Sequence, residues 1–298
     1  MVTGKILIFG GERLTGQNLK KEAASNGWDV FAPTKAECDL SSAKDISSAF
    51  HNFSPDFVIN AADVNDLSIC EEDPRLAKEV NFHAVAHIAG QCDTLNAPLL
   101  HLSSDLVFDG NAPDQPYSED DGMNPLCEYG KTKLLGEEAV RHGMYWHVIL
   151  RTSAPFGTTG NNLFTSAIKN LDTTSSQQSN TGDFLFSPIS SLSLTKAILI
   201  ITKAIMGGKV DGFGTFHLGG TQTSKNEFIS ETAKACGKMP SLNETDPDKT
   251  QIRNLTLDCS KIMARYGIAP PDWKTDLLRT ANELPKTDVS IPVKCCDS

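Results

Sequence analysis

Leu99-Leu100-His101-Leu102, an apolar strand, leads into Ser103-Ser104-Asp105, and further along Tyr129-Gly130-Lys131-Thr132-Lys133 opens a helical pattern. Tyr129 and Lys133 are four residues apart, so they lie one above the other on a helix face. A lysine ammonium beside a phenol lowers the pKa of the phenol from its ordinary value of ~10. We therefore predict that Tyr129 exchanges a proton near neutral pH and that Ser104 holds the reacting oxygen against it.

The Tyr-x-x-x-Lys spacing alone does not indicate a catalytic site, because it also fits an ordinary exposed helix face. The elements around it decide the interpretation. We predict strands over residues 5–10, 28–32, 56–60, 99–102, 147–151 and 214–218. Helical patterns cover residues 14–26, 43–52, 74–95, 129–142, 163–171, 191–206, 224–236, 260–266 and 272–282. This alternation predicts an α/β fold, a Rossmann-type doubly wound parallel sheet with a smaller C-terminal substrate lobe.

Four polar or glycine-rich segments directly follow predicted strands. They are the turn after residue 9, Asn60-Ala61-Ala62, Ser103-Ser104-Asp105 and Arg151-Thr152-Ser153. Ligands of such sheets bind beyond the carboxyl ends of the strands. We therefore expect all four segments at one edge of the sheet, around one site.

Gly10-Gly11-Glu12-Arg13-Leu14-Thr15-Gly16 joins the first strand to the first helix, as a dinucleotide-binding turn does. Backbone N–H groups at a helix start favour an anionic pyrophosphate. The expected spacing is Gly-x-x-Gly-x-x-Gly, and Arg13 replaces its middle glycine. Arg13 either obstructs the phosphates or pairs with one of them as a cation. A turn that binds no nucleotide is the alternative interpretation.

The residues after the second strand indicate which dinucleotide is bound. An Asp or Glu usually holds the ribose hydroxyls of NAD there, whereas this chain has Phe31-Ala32-Pro33-Thr34-Lys35 and no acid before Glu37. Thr34 and Lys35 suit a 2′-phosphate, so we predict NADPH, with NADH as the alternative. Asp39-Leu40 would lie beside the adenine. Lys35 by itself is equally explained as a solvated surface lysine.

These segments define the expected domains. We predict an NADP(H)-binding Rossmann domain over residues 1–153 and a mainly substrate-binding lobe over 154–298. Part of 184–210 is expected to return to the Rossmann domain. The polar segment from Thr173 to Thr181 predicts an exposed connection between elements of the second lobe.

Composition narrows the class of protein. A net charge of −10 over 298 residues argues against nucleic-acid binding. There is neither an apolar run of ~20 residues nor a signal-peptide pattern, so we expect a cytoplasmic protein with no membrane partner.

The eight cysteines form no Cys-x-x-Cys pair and have no histidine at metal-ligand spacing, which predicts reduced thiols and no catalytic metal. The ending Cys295-Cys296-Asp297-Ser298 does not fit prenylation and predicts a disordered tail.

Assembled, these motifs resemble the extended short-chain dehydrogenase/reductases, and more narrowly the dTDP-4-dehydrorhamnose reductase (RmlD-like) family. The strings that carry the resemblance are Pro55–Ala62, Val80-Asn81, Leu102–Gly110, Pro125–Glu137, Leu150–Ser153 and Gly160-Asn161-Asn162. They run through nearly the whole chain. The resemblance implies NADPH-dependent reduction of the 4-keto group of a nucleotide-linked deoxysugar, so a sugar nucleotide is the expected substrate. Dimers are common in the family, which favours a homodimer.

The resemblance also implies roles for individual residues. The catalytic set is Ser104, Tyr129 and Lys133. The residues expected to bind the cofactor are Gly10, Glu12, Arg13, Leu14, Gly16, Thr34, Lys35, Asp39, Leu40, Ala61, Ala62, Asp63, Ser103, Lys133, Thr152 and Ser153. Those expected to bind the substrate are Ser104, Asp105, Leu106, Tyr129, Ala154 and Asn162.

Three positions depart from the family pattern. Leu106 replaces a tyrosine and Ala154 replaces a tryptophan, which predicts a wider and less polar sugar pocket. Arg13 in the glycine turn is the third. Some relatives, such as the regulatory subunit of methionine adenosyltransferase, act chiefly as binding partners. A cofactor-binding regulatory or scaffold protein with little turnover is therefore the second hypothesis.

Overall fold

The structure is a computed structural model, and it describes residues 4–111, 115–172, 183–209, 211–239 and 252–284. The connection predicted from Thr173 to Thr181 and the C-terminal tail lie outside the described residues. The strands are β1 (Lys5–Phe9), β2 (Asp29–Phe31), β3 (Phe57–Asn60), β4 (Leu99–Ser104), β5 (His147–Thr152), β6 (Pro155–Phe156), β7 (Leu185–Phe186), β8 (Ile189–Ser190), β9 (Gly214–Leu218) and β10 (Thr223–Ser224).

Six of these strands form one parallel sheet in the order β2-β1-β3-β4-β5-β9. Alternate residues of a strand face opposite sides, so Ile6 and Ile8 enter one buried cluster while Leu7 and Phe9 enter the other. Both faces of the sheet are therefore covered. The predicted α/β doubly wound class is confirmed.

Helices cover both faces. They are α1 (Leu14–Ser25), α2 (Ala43–Phe53), α3 (Leu67–Glu72), α4 (Pro74–Lys78), α5 (Ala84–Leu95), α6 (Glu128–Gly143), α7 (Leu163–Asp172), α8 (Ser191–Met206), α9 (Lys225–Ala235), α10 (Ser260–Tyr266) and α11 (Trp273–Asn282). Side chains cap several N-termini, as Ser42 does for α2, Ser224 for α9 and Asp272 for α11. A side-chain acceptor satisfies backbone N–H groups that have no partner within the helix.

The helix predicted over residues 74–95 has the observed outer bounds, but its centre is not a regular α-helix. A π-helical turn at Glu79–His83 separates α4 from α5. That turn contains Asn81, whose amide is buried and bonded to the loop after β3 and to Thr132 of α6. Helix α3 was not predicted, because it has only six residues and shows too little periodicity.

The sheet changes winding direction between β1 and β3, because β2 lies on one side of β1 and β3 on the other. Phe9 of β1 pairs in register with Asn60 of β3. Their carboxyl ends therefore open a crevice at the point where open α/β sheets bind ligands.

Two small two-stranded sheets lie among the elements after residue 154. Strand β6 pairs with β8, and β7 pairs with β10. Phe156, Phe228 and Trp273 belong to the same buried cluster as Ile6 and Ile8, and they contact one another through Phe228. Helix α8 packs against α1, where Asn18 donates to Ser191 at 2.9 Å. The sequence placed the strand at 214–218 in the second lobe, but it completes the main sheet beside β5.

Within the described ranges, no helix is long and apolar enough to cross a membrane. No disulfide joins the cysteines they contain.

The glycine turn allows a paired test of packing. A Cβ on Gly16 would lie 2.0 Å from the Gly10 carbonyl oxygen, whereas a Cβ on Gly90 in α5 meets nothing within 4 Å. We expect Gly16→Ala to lower the free energy of unfolding by ~2 kcal/mol or more. Gly90→Ala should raise it by up to ~1 kcal/mol, since alanine favours a helix. Urea unfolding measures both, and equal effects would contradict the close approach.

Candidate active site

A cavity of about 460 Å³ opens at the carboxyl ends of β1, β3, β4 and β5. The predicted site residues that line it are Glu12, Arg13, Leu14, Ala61, Ala62, Asp63, Ser103, Ser104, Tyr129, Lys133, Thr152 and Asn162. They come from separate segments of the chain, which the sheet edge brings together. A second depression, of about 550 Å³, lies near Tyr145 and Phe213, away from the predicted site residues.

Other predicted residues do not line this cavity. They are Gly10, Gly16, Thr34, Lys35, Asp39, Leu40, Asp105, Leu106, Ser153 and Ala154. Leu106 and Ala154 are half-buried and pack against the main apolar cluster. The backbone at Ala154 has a φ of 38°, in the left-handed region. The wider sugar pocket that these two residues suggest stays a prediction.

The catalytic residues predicted from the sequence meet in the cavity, but with partners the sequence does not reveal. The Tyr129 hydroxyl donates to the Asp63 carboxylate at 2.9 Å. The Lys133 ammonium donates to the backbone carbonyl of Leu102 at 2.6 Å. The Ser104 hydroxyl donates to Asp105 at 3.0 Å. Each polar group is thus held by a local partner.

The expectation that Lys133 lowers the pKa of Tyr129 is wrong for this structure. Burial, followed by the negative charge of Asp63 and its hydrogen bond, raises the pKa of Tyr129 well above its ordinary value. Burial also lowers the pKa of Lys133. The phenol is therefore protonated at neutral pH.

Arg13 fits the glycine turn without strain. Its backbone is extended, with φ −83° and ψ 161°, and its N–H bonds to the Gly10 carbonyl at 2.9 Å. This position therefore does not need the conformational freedom of glycine. The guanidinium pairs with Asp63 at 3.2 Å and also bonds to Asn65.

A buried network fixes the catalytic helix behind the cavity. Glu137 of α6 is fully buried and accepts from Ser103 at 2.5 Å and from Arg151 at 2.8 and 2.9 Å. Arg141 donates to the same carboxylate at 2.5 Å. Burial raises the pKa of Glu137, but the hydrogen bond and positive charge of Arg151 outweigh burial and hold the pKa below its ordinary value. The carboxylate is therefore charged and fully paired.

The loop after β3 was only partly anticipated. Asn81 accepts from the Val64 N–H at 2.8 Å and donates to the Val64 carbonyl at 3.1 Å. This clamp brings Asn65, Asp66 and Ile69 to the cavity wall, and none of the three was predicted. The only sequence signal was Asp66, which caps α3.

The segment after β2 lies close to the glycine turn. The Lys35 N–H donates to the Glu12 carboxylate at 2.7 Å. The Glu37 carboxylate accepts from the Thr34 N–H at 2.8 Å and from its hydroxyl at 2.9 Å. Carboxylates therefore contact both residues that were expected to hold a 2′-phosphate. Within the described ranges, no cluster of three or more His, Cys, Asp or Glu residues could hold a metal.

A parallel sheet with a glycine turn after β1, a serine at the end of β4 and Tyr-x-x-x-Lys on α6 defines an extended short-chain dehydrogenase/reductase. The family model of the RmlD substrate binding domain matches residues 4–285. The chain therefore belongs to the RmlD family.

Individual relatives agree with this assignment. A dTDP-4-dehydrorhamnose reductase from Aggregatibacter actinomycetemcomitans is 30% identical over 286 residues, covering 92% of this chain and 97% of the relative. The structure of a dTDP-4-dehydrorhamnose reductase from Clostridium acetobutylicum has a TM-score of 0.83 at 26% identity, over 93% of this chain and 98% of that one. Methionine adenosyltransferase 2 subunit beta from Xenopus tropicalis is 34% identical over 51% of this chain and 47% of the relative.

The buried network predicts unequal effects at two adjacent glutamates. Glu137→Gln removes the charge that compensates Arg151, and breaking a buried pair costs ~3–5 kcal/mol. Glu138→Gln is the control, because Glu138 is 42% exposed where it pairs with Arg141, and exposed pairs contribute ~0–1 kcal/mol. Chemical unfolding of both variants provides the comparison. Similar losses from the two variants would show that the network does not hold the fold.

The raised pKa of the buried Asp105 predicts that the stability of the fold depends on pH. Burial raises the pKa of Asp105 to about 6 from an ordinary 3.8, so the folded protein binds this proton more tightly than the unfolded chain. The contribution of Asp105 to stability is therefore lost as pH rises through that interval. We expect the free energy of unfolding of Asp105→Asn, relative to that of wild type, to increase by on the order of 2–3 kcal/mol between pH ~4 and neutral pH. A constant difference across unfolding experiments in that interval would contradict the assignment.

Proposed function

We propose that this chain uses NADPH to reduce the 4-keto group of a nucleotide-linked deoxysugar. The observation that carries the proposal is the meeting of Ser104, Tyr129 and Lys133 beside the glycine turn, in one cavity. Membership of the RmlD family supports it, as do relatives named dTDP-4-dehydrorhamnose reductase that match over most of the chain.

The residues of the turn fit a dinucleotide. Gly16 packs its Cα against Gly10 so closely that a side chain has no room, which lets α1 start directly behind the turn. The first backbone N–H groups of α1 can then donate hydrogen bonds to a pyrophosphate. Thr152 lines the cavity, and its buried hydroxyl has no hydrogen-bond partner among the described residues. A buried polar atom without a partner is costly, so Thr152 fits a ligand contact.

We assign the remaining cofactor contacts by position. Arg13 and Leu14 would contact the phosphates, Ala61 and Ala62 the middle of the crevice, and Lys133 the nicotinamide ribose. Thr34 and Lys35 would meet a 2′-phosphate, with Asp39 and Leu40 beside the adenine. NADH is the alternative, because Glu12 and Glu37 place carboxylates at the same turn.

The chain's own residues supply the proton chemistry. When bound, NADPH would supply a hydride to the carbonyl carbon. The Tyr129 O–H bond breaks as its proton moves to the carbonyl oxygen, which becomes the alcohol. Ser104 donates a hydrogen bond to that oxygen before and during the transfer. A proton taken up from solution then restores the Tyr129 hydroxyl.

Substrate contacts follow from the same edge. Asn162 lines the cavity and donates to the backbone carbonyls of Gly157 and Thr159, which holds the 157–162 loop over the site. We propose that this loop contacts the sugar nucleotide, together with Asp105 behind Ser104. Leu106 and Ala154 would shape the sugar end through their packing.

A second candidate is a cofactor-binding regulatory protein with little turnover. It is favoured by the Tyr129–Asp63 hydrogen bond, which occupies the phenol proton, and by Arg13 in the glycine turn. Titration with NADPH followed by a panel of 4-keto sugar nucleotides separates the two candidates. Tight binding with no oxidation of NADPH supports the regulatory role, and oxidation with any substrate excludes it.

Replacing Tyr129 provides the sharpest mutational test. Tyr129→Phe keeps the ring but removes the proton donor, so turnover should fall by ~10²–10⁴-fold while the fold is retained and NADPH still binds. Tyr145→Phe is the matched control, because Tyr145 is 76% exposed and does not line the cavity. Steady-state kinetics measure both variants. Wild-type turnover in Tyr129→Phe would rule out the proposed proton transfer.

A further inference from the structure

The carboxylate of Asp63 connects the glycine turn to the catalytic tyrosine. One oxygen of Asp63 accepts from Arg13 at 3.2 Å, and the other accepts from the Tyr129 hydroxyl at 2.9 Å. The three side chains therefore form a continuous chain across the mouth of the cavity. All three line it.

Hydrogen bonds to the neighbouring residue fix the loop that carries Asp63. The next residue, Val64, is held by Asn81 through both its N–H and its carbonyl, and the Cys70 thiol also donates to that carbonyl at 3.2 Å. Asn81 in turn donates to Thr132 of α6 at 3.0 Å. The loop with Asp63 is thereby tied to the helix that carries Tyr129.

We propose that Asp63 is a positioning residue that holds the proton on Tyr129, and that Arg13 holds Asp63 in place. The inference rests on the proposed function, since it assigns Tyr129 the role of proton donor. The proposal assigns Arg13 a role beyond phosphate binding. It also explains why this chain has an arginine where the turn is expected to have glycine.

The arrangement keeps Tyr129 in the protonated form in which reduction begins. A carboxylate beside the phenol disfavours the phenolate, so Tyr129 keeps its proton until a substrate oxygen takes it. The phenolate left after the transfer lies beside the same carboxylate, which favours its reprotonation by water. In the oxidative direction Tyr129 would have to start as a phenolate, and Asp63 opposes that state.

Other groups near Tyr129 do not replace Asp63. Asp105, after β4, adds a weaker negative charge, and the Ser104 hydroxyl favours the phenolate. Cys70 of α3 packs beside the ring, but burial raises the pKa of its thiol to about 11, so it is uncharged near neutral pH. Lys133, one turn further along α6, is bonded to Leu102. Asp63 is therefore the charge with the largest effect on Tyr129.

The test follows the ionisation of Tyr129 in protein without cofactor or substrate. The chain has four tyrosines, and ¹³C labelling of the ring carbon that bears the hydroxyl gives each an NMR signal. Tyr129→Phe assigns the signal of interest. Asp63→Asn keeps the shape and an acceptor oxygen but removes the charge. We expect it to raise the acid dissociation constant of Tyr129 by about tenfold or more.

Two variants make the result specific. Asp66→Asn neutralises a neighbouring carboxylate of the same cavity wall and should leave the ionisation of Tyr129 unchanged. Arg13→Gln leaves Asp63 charged but uncompensated, so Tyr129 should ionise at the same pH as wild type or higher. Asp63→Ser, a second neutral side chain, should behave as Asp63→Asn does.

The proposal is overturned if Tyr129 does not ionise at lower pH in Asp63→Asn and Asp63→Ser than in wild type. It is also overturned if Arg13→Gln lowers the ionisation pH as much as Asp63→Asn does, because general loosening of the cavity would then explain both. The titration needs no turnover. Its failure is therefore distinct from a failure of the proposed reductase activity, which the substrate panel decides.

Discussion

The site depends on the buried ion pair between Glu137 and Arg151. Tyr129, Lys133 and Glu137 are spaced four residues apart, so they share one face of α6. Glu137 bonds to Ser103 and Arg151, which directly precede Ser104 and Thr152 at the ends of β4 and β5. A buried carboxylate is tolerated only when it is fully paired. That requirement sets the register of α6 against both strand ends and brings the catalytic side chains together.

The opposite wall of the cavity is held by hydrogen bonds from one amide. Asn81, which lies in the π-helical turn, fixes the loop after β3 and ties it to α6. This loop places Asp63 between Arg13 and Tyr129. The departure from the glycine pattern and the raised pKa of Tyr129 are therefore linked, because the carboxylate that pairs with Arg13 also faces the phenol.

Much of this could be predicted from the sequence. Buried strands read as short apolar runs, and residues just after them must meet at one sheet edge, so the glycine turn, Ser104 and the Tyr129 helix were assigned correctly to the fold. Periodicity could not reveal the π-helical turn at 79–83 or the tertiary contacts that Asn81 makes from it. Nor could spacing show that the Lys133 ammonium bonds to Leu102 or that Asp63 reaches Tyr129. Those partners come from segments far apart in the chain, and they reverse the expected direction of the pKa shift.

Following the hydride itself tests the proposed reaction most directly. NADPH that carries deuterium at the transferable position would be incubated with dTDP-4-dehydrorhamnose and with other 4-keto sugar nucleotides, and the sugars examined by NMR and mass spectrometry. The reductase function predicts deuterium on the former carbonyl carbon of at least one sugar with the wild-type chain. Recovery of every keto sugar without label, although NADPH binds, would contradict it.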